Sequence, residues 1–319
     1  MPLTLNQLKL MILSPNSDSL ESTVHMLRGN IHDKENEKNI ILVINSLLSN
    51  SKTRGTGLEL INELIPYCSV EVLIENIMFW SSNCVVHLNT QDSLKEIKLR
   101  TIEKIIGNMA EVESFNKKFI QEYLFDTVKA CLTYHCNTEK SACLKCLSQC
   151  MKIYPSWFGN HSEKIESFLI KLLEDTNGEV KDAALVFHLF NQMVSNNTGS
   201  AGVDGIHHIN NFRNRFQKLC ATVHALYNTF FENIREINNS ERVDAEVFTF
   251  SYSQPNSDSH RFLEATAFRI INCLLFIKTM IANHSSLLPF SHALSKIILN
   301  TLKRTNSCSC FVNDSNSVK

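Results

Sequence analysis

The chain has 319 residues, of which 44% are hydrophobic, and its charges nearly balance, with 31 Lys and Arg against 32 Asp and Glu. This length supports one elongated repeat domain or two compact domains, each with an adequate apolar core. The net charge of −1 argues against a highly basic nucleic-acid binder. Apolar runs such as residues 270–277 fall short of the ~20 residues that cross a bilayer, so no membrane association is expected.

Neither the amino terminus nor the cysteines indicate secretion. Residues 1–9 lack a charged region followed by an apolar segment and a small-residue cleavage site. The eleven cysteines are an odd number, and most lie inside apolar helical runs rather than in loops. We therefore expect a reducing compartment, the cytosol or the nucleus.

Helical periodicity dominates the chain. Glycine occurs nine times and proline six, and apolar residues recur at helical spacing instead of alternating. Residues 36–49, for example, place Ile40, Val43, Ile44 and Leu47 on one stripe. In chain order the pattern predicts helices over 36–49, 115–135, 141–154, 163–174, 207–237, 259–283 and 289–304.

Helix breakers divide these helices into pairs. Gly55, Pro66, Asn137, Pro155 and Gly178 lie at or near the breaks. Taking two helices per unit gives pairs over 36–66, 69–110, 113–154 and 160–195, close to the roughly 40–47 residues of HEAT and armadillo repeats. The predicted fold class is therefore all-α, an armadillo/HEAT-like α-solenoid of helical hairpins. Two irregular helical bundles remain as the alternative, since no residue-level repeat consensus is visible.

The domain organisation follows from composition. Residues 1–35 are interpreted as an N-terminal helical cap and residues 36–304 as the helical-repeat domain. Polar, glycine-containing stretches predict flexible loops at 195–206 and 238–258, and the second contains a strand-like alternation over 247–252. Residues 305–319 are predicted to be a disordered tail.

A cysteine cluster is the strongest metal candidate in the sequence. Cys143 and Cys146 form a Cys-x-x-Cys pair, with His135, Cys136 and Cys150 nearby, which on a loop resembles half of a zinc site. The cysteines at 143, 146 and 150 follow the apolar stripe of a predicted helix, however, where thiols act as small buried hydrophobes. We therefore favour packing over metal binding and predict no cofactor.

Lysines on the predicted polar faces could contact RNA phosphates along a ridge. Acidic residues are interleaved with them, which favours a mixed, solvated face and at most weak RNA contact. The lysines concerned are Lys95, Lys98, Lys104, Lys117, Lys118, Lys145, Lys152 and Lys164.

Leu169, Leu172 and Leu173 form a Leu-x-x-Leu-Leu element of the kind that lies in a receptor groove. The same leucines belong to the apolar stripe of helix 163–174, so burial against the next helix is the favoured interpretation. Exposure would cost roughly 1.5–3 kcal/mol per leucine.

No catalytic motif was found. The sequence has no phosphate-binding glycine motif, nucleophile elbow or His-Glu-x-x-His helix, and its carboxylates are scattered singly. The prediction is a non-enzymatic helical-repeat scaffold.

Several blocks resemble the N-terminal helical domain of the proline-, glutamic acid- and leucine-rich protein family, the pre-rRNA-processing scaffolds of large-subunit assembly. The resemblance covers about residues 36–285 and is strongest over 47–170. Its blocks are Leu47-Leu48 with Ser51-Lys52-Thr53-Arg54 and Gly57-Leu58-Glu59-Leu60, Phe79-Trp80 with His87-Leu88-Asn89-Thr90-Gln91-Asp92, and Cys150-Met151-Lys152-Ile153-Tyr154-Pro155 with Phe158-Gly159 and Lys164-Ile165-Glu166-Ser167-Phe168-Leu169.

The resemblance implies a non-enzymatic scaffold of the nucleus, nucleolus and nucleoplasm that self-associates as a homodimer. Its implied partners are a WD-repeat propeller subunit, a second helical-repeat subunit and pre-ribosomal particles. The family's long proline-rich and acidic C-terminal half is absent here, which implies a truncated form. Lys52, Arg54 and Trp80 lie in the best-matching blocks and are the candidate partner-binding residues.

Two alternatives stay open. Vertebrate members of the family act as nuclear-receptor coregulators through Leu-x-x-Leu-Leu elements, which would assign receptor binding to Leu169, Leu172 and Leu173. A cytoplasmic or transport-type armadillo adaptor is the third interpretation, and localisation separates it from the first.

Overall fold

The computed structural model describes residues 7, 10, 12, 19–86, 88, 93–174, 180–196, 205–235, 246–248, 250 and 259–283. These residues contain twelve α-helices and two short 3₁₀ segments, and no strand occurs among them. The predicted all-α class is confirmed. The chain divides into two compact units, Met1–Pro155 and Ser156–Lys319, which are described separately.

The first unit contains eight α-helices and a 3₁₀ turn, Ile65–Tyr67. The helices are α1 (Ser19–Asn30), α2 (Lys34–Ser49), α3 (Arg54–Leu64), α4 (Val70–Val85), α5 (Lys95–Asn108), α6 (Glu113–Glu122), α7 (Leu124–Cys131) and α8 (Asn137–Ile153).

Capping side chains fix where two of these helices begin. Asp33 accepts hydrogen bonds from the backbone N–H groups of Glu35 and Asn36, at 3.1 and 3.0 Å, and so starts α2. Ser69 accepts from the N–H of Val72 at 3.4 Å and starts α4. The starts at 34 and 70 lie within two residues of the predicted hairpin boundaries.

The two helices of each successive pair contact each other in the first unit. Helix α2 packs on α3, α4 on α5, and α7 on α8. The second helices of the pairs also contact one another in succession, α3 on α5 and α5 on α8. The predicted pairs over 36–66, 69–110 and 113–154 therefore correspond to packed pairs.

The predicted single helix over 115–135 is wrong, because the chain breaks at Tyr123 into α6 and α7. Phe115 and Phe119 are buried in α6, and Leu124 and Val128 in α7. Phe119 and Leu124 are five residues apart, which places them about 140° apart on a straight helix. The break lets both halves bury their apolar side.

The 3₁₀ segment Pro155–His161 begins at the last residue of the first unit and continues into the second unit. The second unit also contains four α-helices. These are α9 (Ser162–Leu173), α10 (Val180–Asn196), α11 (Gly205–Arg235) and α12 (Ser259–Asn283). Helices α10, α11 and α12 contact one another, and α9 packs on α10 and α12. The predicted helices at 163–174, 207–237 and 259–283 are confirmed within two residues.

Side-chain anchors connect the elements of the second unit. The Asn272 amide on α12 donates to the carbonyl of Leu173 at the end of α9, at 3.1 Å. Phe248 is buried, and its N–H donates to Oγ1 of Thr222 on α11 at 2.9 Å. The described residues 246–248 and 250 form neither helix nor strand, so the strand-like alternation predicted there is not a strand at those positions.

Residues 261–283 of α12 are long and apolar enough to cross a membrane by length and composition, and 44% of an 18-residue window within them is buried inside the protein. The helix packs on α10 and α11 and carries buried Thr266, Arg269 and Asn272. Buried polar side chains of this kind, together with the helix contacts, fit a helix of a packed protein core.

Several predictions fall outside the described residues. They are the helix over 289–304, the tail 305–319, the loop interior 197–204 and most of 238–258. Within the predicted loop 195–206, residues 195–196 end α10 and residues 205–206 begin α11. The domain boundaries at residues 35 and 304 stay predictions.

Candidate partner-binding surface

Lys52 and Arg54 lie in the short turn between α2 and α3. Lys52 is exposed, and its backbone N–H donates to Oδ1 of Asn50 at 3.0 Å. Arg54 is half-buried, and its Nε donates to the carbonyl of Leu48 at 3.2 Å. The Thr53 hydroxyl donates to the carbonyl of Leu47 at 2.9 Å. Thr53 and Arg54 therefore satisfy carbonyls at the end of α2, which a helix leaves unpaired.

Gly57 allows α2 and α3 to approach closely behind this turn. A Cβ atom added at Gly57 would lie 3.0 Å from Cδ2 of Leu48 and 3.2 Å from Cβ of Leu47. The block that carried the family resemblance, residues 47–60, is thus a tight helical hairpin. Lys52 is the exposed cation of this hairpin. Of the two candidate partner-binding residues in the turn, it is the one whose side chain remains available to a partner.

Trp80 is a buried side chain, only 1% exposed, on α4. Its Nε1–H donates to Oδ1 of Asn45 on α2 at 2.8 Å, and the Asn45 amide donates to Oδ1 of Asn76 at 2.8 Å. The indole therefore joins adjacent helix pairs and does not form an exposed contact site in this fold.

The leucines of the Leu-x-x-Leu-Leu element are all buried in the second unit. Leu169 and Leu173 are 0% exposed and Leu172 is 2% exposed. The burial that the apolar stripe predicted is confirmed. A receptor groove could reach these side chains only after α9 detached from its neighbours.

The prediction of a lysine ridge is wrong for Lys95 and Lys98, which are each 2% exposed. The Lys98 ammonium donates to the carbonyl of Val86, just past the end of α4, at 2.8 Å. The Lys95 ammonium donates to the carbonyl of Thr133, just past the end of α7, at 2.6 Å. Cations at helix C-termini stabilise the unpaired carbonyls. Both lysines belong to the packing of α5.

The other lysines of the predicted ridge differ in exposure. Lys104 is half-buried and donates to the carbonyl of Asn62 in the last turn of α3. Five lysines of the predicted ridge are exposed, and among them only the two on α6 are neighbours in the sequence. The five are Lys117, Lys118, Lys145, Lys152 and Lys164. Lys117 pairs with Glu113 at 2.7 Å, as expected for a mixed, solvated face.

The cysteine cluster lies inside the first unit. Cys143, Cys146 and Cys150 are each 0% exposed, as the packing interpretation predicted. Hydrogen-bond contacts with the thiols of Cys131 and Cys150, and then burial, raise the pKa of Cys146 well above its ordinary value. Burial likewise raises the pKa of Cys143. The Cys143 and Cys146 thiols therefore stay protonated at neutral pH. Among the described residues no group of three or more His, Cys, Asp or Glu could hold a metal ion.

One surface was missed in the sequence analysis, the outer side of α4. Two rows at i, i+4 spacing lie side by side there, since residues four apart share a helix face. We call these six exposed or half-exposed residues the α4 ridge. The rows are Val70, Ile74 and Met78, and Glu71, Glu75 and Phe79. The available signal was that α4 carries apolar residues around most of its circumference and no basic residue.

Packed helix pairs and an exposed apolar ridge define the first unit as an all-α protein with a surface suited to binding another protein. The profile of the RIX1 family, described as rRNA processing/ribosome biogenesis, matches residues 9–180, and the chain belongs to this family. RIX1 proteins are ribosome-biogenesis factors and are not a known enzyme family. They work in pre-ribosomal complexes with other subunits and are generally nuclear or nucleolar.

A curated relative supports the same assignment. The chain is 22% identical over 195 residues to "Proline-, glutamic acid- and leucine-rich protein 1" of Mus musculus. The similarity covers 60% of this chain but only 17% of the mouse protein. The family resemblance found in the sequence is thereby confirmed.

Proposed function

We propose that this chain is a non-enzymatic nuclear scaffold that helps large-subunit maturation and pre-rRNA processing within a multi-subunit complex. The observation that carries the proposal is the RIX1 match over residues 9–180, which includes the packed helix pairs of the first unit and extends through α9. The proposed partners are a WD-repeat propeller subunit, a second helical-repeat subunit and pre-ribosomal particles. A homodimer and a location in the nucleolus and nucleoplasm belong to the same proposal.

The mechanism would be geometric. Helix pairs held together by buried contacts present exposed residues on rigid faces, and many modest contacts then sum to stable binding. We propose that the pairs form an armadillo/HEAT-like α-solenoid, which the succession of α3, α5 and α8 supports. A radius of gyration near the ~20 Å of a compact 319-residue globule, measured by small-angle scattering, would contradict the solenoid.

Depletion of the protein tests the scaffold role. We expect fewer large ribosomal subunits in sedimentation profiles and accumulated pre-rRNA precursors, both restored by re-expression of the chain. Normal profiles and normal pre-rRNA after complete depletion would remove the proposal. A diffuse cytoplasmic location of the tagged protein would favour the transport-type adaptor instead.

The burial of Leu169, Leu172 and Leu173 speaks against the coregulator alternative. We expect receptor pull-down to fail with the intact chain. Receptor binding that is lost in a folded Leu172→Ala variant, and kept in a matched variant at the exposed Leu274 of α12, would overturn this expectation.

A further inference from the structure

The exposed apolar residues of the first unit are concentrated around α4. Five of the large apolar side chains that the described chain exposes lie within 20 residues of sequence. They are Tyr67, Val70, Ile74, Phe79 and Val86. Scattered exposed apolar residues are ordinary, whereas a concentration of them marks a binding surface.

The charges on the α4 ridge have one sign. Glu71 and Glu75 are the only charged residues of α4, and both are exposed. Neither carboxylate forms an ion pair within the part of the chain that the structure describes. The ridge therefore combines an apolar row with two unneutralised carboxylates beside it.

This combination selects the chemistry of a partner. Nucleic-acid phosphates and anionic lipids would be repelled by Glu71 and Glu75. A helix whose apolar stripe is flanked by Lys or Arg would bury the apolar row of Val70, Ile74 and Met78 and place its cations beside the two carboxylates. Charge complementarity thus favours one kind of occupant over the others.

We propose that the α4 ridge is a docking surface for a basic amphipathic helix of a partner protein. The inference names the partner chemistry for one face of the proposed scaffold and rests on that proposed function. Apolar contacts supply most of the binding, and the carboxylates set the orientation and reject acidic helices.

A peptide-binding measurement with the full chain tests the ridge. The probe is a designed amphipathic peptide of about 20 residues, with leucines at i, i+3, i+4, i+7 spacing and flanking lysines. Its counterpart carries glutamates in place of the lysines. We expect fluorescence anisotropy to show binding of the lysine peptide at least ~10-fold tighter than that of the glutamate peptide.

Matched variants locate the binding. Ile74→Ser should weaken binding of the lysine peptide roughly 3- to 10-fold, because docking would bury the half of the isoleucine side chain that is still exposed. Ile271→Ser on α12 is the control, since Ile74 and Ile271 are both 51% exposed. The double variant Glu71→Lys with Glu75→Lys should reverse the preference toward the glutamate peptide. Far-ultraviolet circular dichroism shows that each variant remains folded.

Several results would overturn the inference. They are absent binding, equal binding of both peptides, equal loss in the Ile74 and Ile271 variants, and competition for the ridge by a single-stranded RNA. Concentration-dependent dimerisation that Ile74→Ser abolishes would assign the ridge to a second copy and likewise overturn it. Normal pre-rRNA after depletion would remove the scaffold role alone, whereas failed peptide binding beside a pre-rRNA defect would remove the ridge alone.

Discussion

The indole N–H of Trp80 on α4 donates a 2.8 Å hydrogen bond to the Asn45 side chain on α2, and so joins the first helices of two successive pairs. Asn45 also donates to Asn76 at 2.8 Å, and Asn76 donates to the carbonyl of Val72 at 2.9 Å. One asparagine thus connects two partners on the neighbouring helix. Its loss would leave a buried donor on Trp80 without an acceptor.

Asn45→Ala is therefore expected to lower the free energy of unfolding by about 1–3 kcal/mol, the usual cost of an unsatisfied buried group. Urea denaturation measures it. Asn83→Ala is the control, because the Asn83 amide only donates to the carbonyl of Phe79 within α4, and should cost about 0.5 kcal/mol or less. If the losses of unfolding free energy in Asn45→Ala and Trp80→Phe simply add in the double variant, the hydrogen bond does not couple the two residues energetically.

Lys98→Ala should lower the free energy of unfolding by about 2–4 kcal/mol, because it removes a buried aliphatic stem as well as the bond to Val86. Lys98→Met keeps the stem and should recover most of that loss. Lys145→Ala, at an exposed position of α8, should change stability by about 0.5 kcal/mol or less. Equal effects at positions 98 and 145 would contradict the buried role.

Gly57→Ala is expected to cost about 1–3 kcal/mol by overpacking, because the new Cβ would press on Leu48 and Leu47. Gly29→Ala in α1 is the matched control, since nothing lies within 4 Å of its added Cβ. That change should be neutral or stabilise by up to about 1 kcal/mol. Thermal unfolding of both variants measures the difference, and a stabilising Gly57→Ala would refute the close approach.

Stability should fall as the pH rises above about 9, and the buried Cys84 thiol contributes to this fall. Burial raises the pKa of Cys84 from 9.0 to about 12, against the opposing effect of the Lys98 ammonium. Between these values the unfolded thiol has lost its proton and the folded thiol keeps it, so the folded state loses relative stability. The slope that this thiol contributes steepens toward about −1.4 kcal/mol per pH unit above pH 10, and its total contribution between pH 8 and pH 10 is a fall of about 1.4 kcal/mol.

The comparison with Cys84→Ala isolates that contribution. Urea denaturation from pH 8 to pH 10 should give a shallower fall for the variant, since other titrating groups affect both proteins alike. At neutral pH the variant is less stable than the parent because a buried group is lost, so the diagnostic quantity is the slope with pH. Identical slopes would show that Cys84 ionises as freely in the folded protein as in the unfolded chain.

Leu172→Ala should destabilise the second unit by about 2–5 kcal/mol, because it opens a cavity at a 2% exposed leucine. Leu274→Ala, at an exposed position of α12, should cost much less. Chemical denaturation followed by circular dichroism compares the two. Similar small effects would indicate that α9 does not bury Leu172 in solution.

The sequence by itself determined the all-α class, the helix pairs of the first unit and the family, but not the break at Tyr123 between α6 and α7. Apolar stripes and breakers act within a few residues, so the bounds of α2, α9, α11 and α12 were predicted to within two residues. The residues of the α2–α3 hairpin carried the family resemblance because the turn chemistry and Gly57 are local as well.

The burial of apolar stripes was predictable, but only the tertiary structure decided where polar and aromatic side chains such as Lys98 and Trp80 face a neighbour. Lys98 is buried because α4 ends beside it, and Trp80 is buried because Asn45 of another helix meets it. Val70 and Ile74 stay exposed because no described helix covers that side of α4. Periodicity gives each helix a polar and an apolar side, but burial depends on which helices adjoin it, and that is set by contacts between residues far apart in the chain.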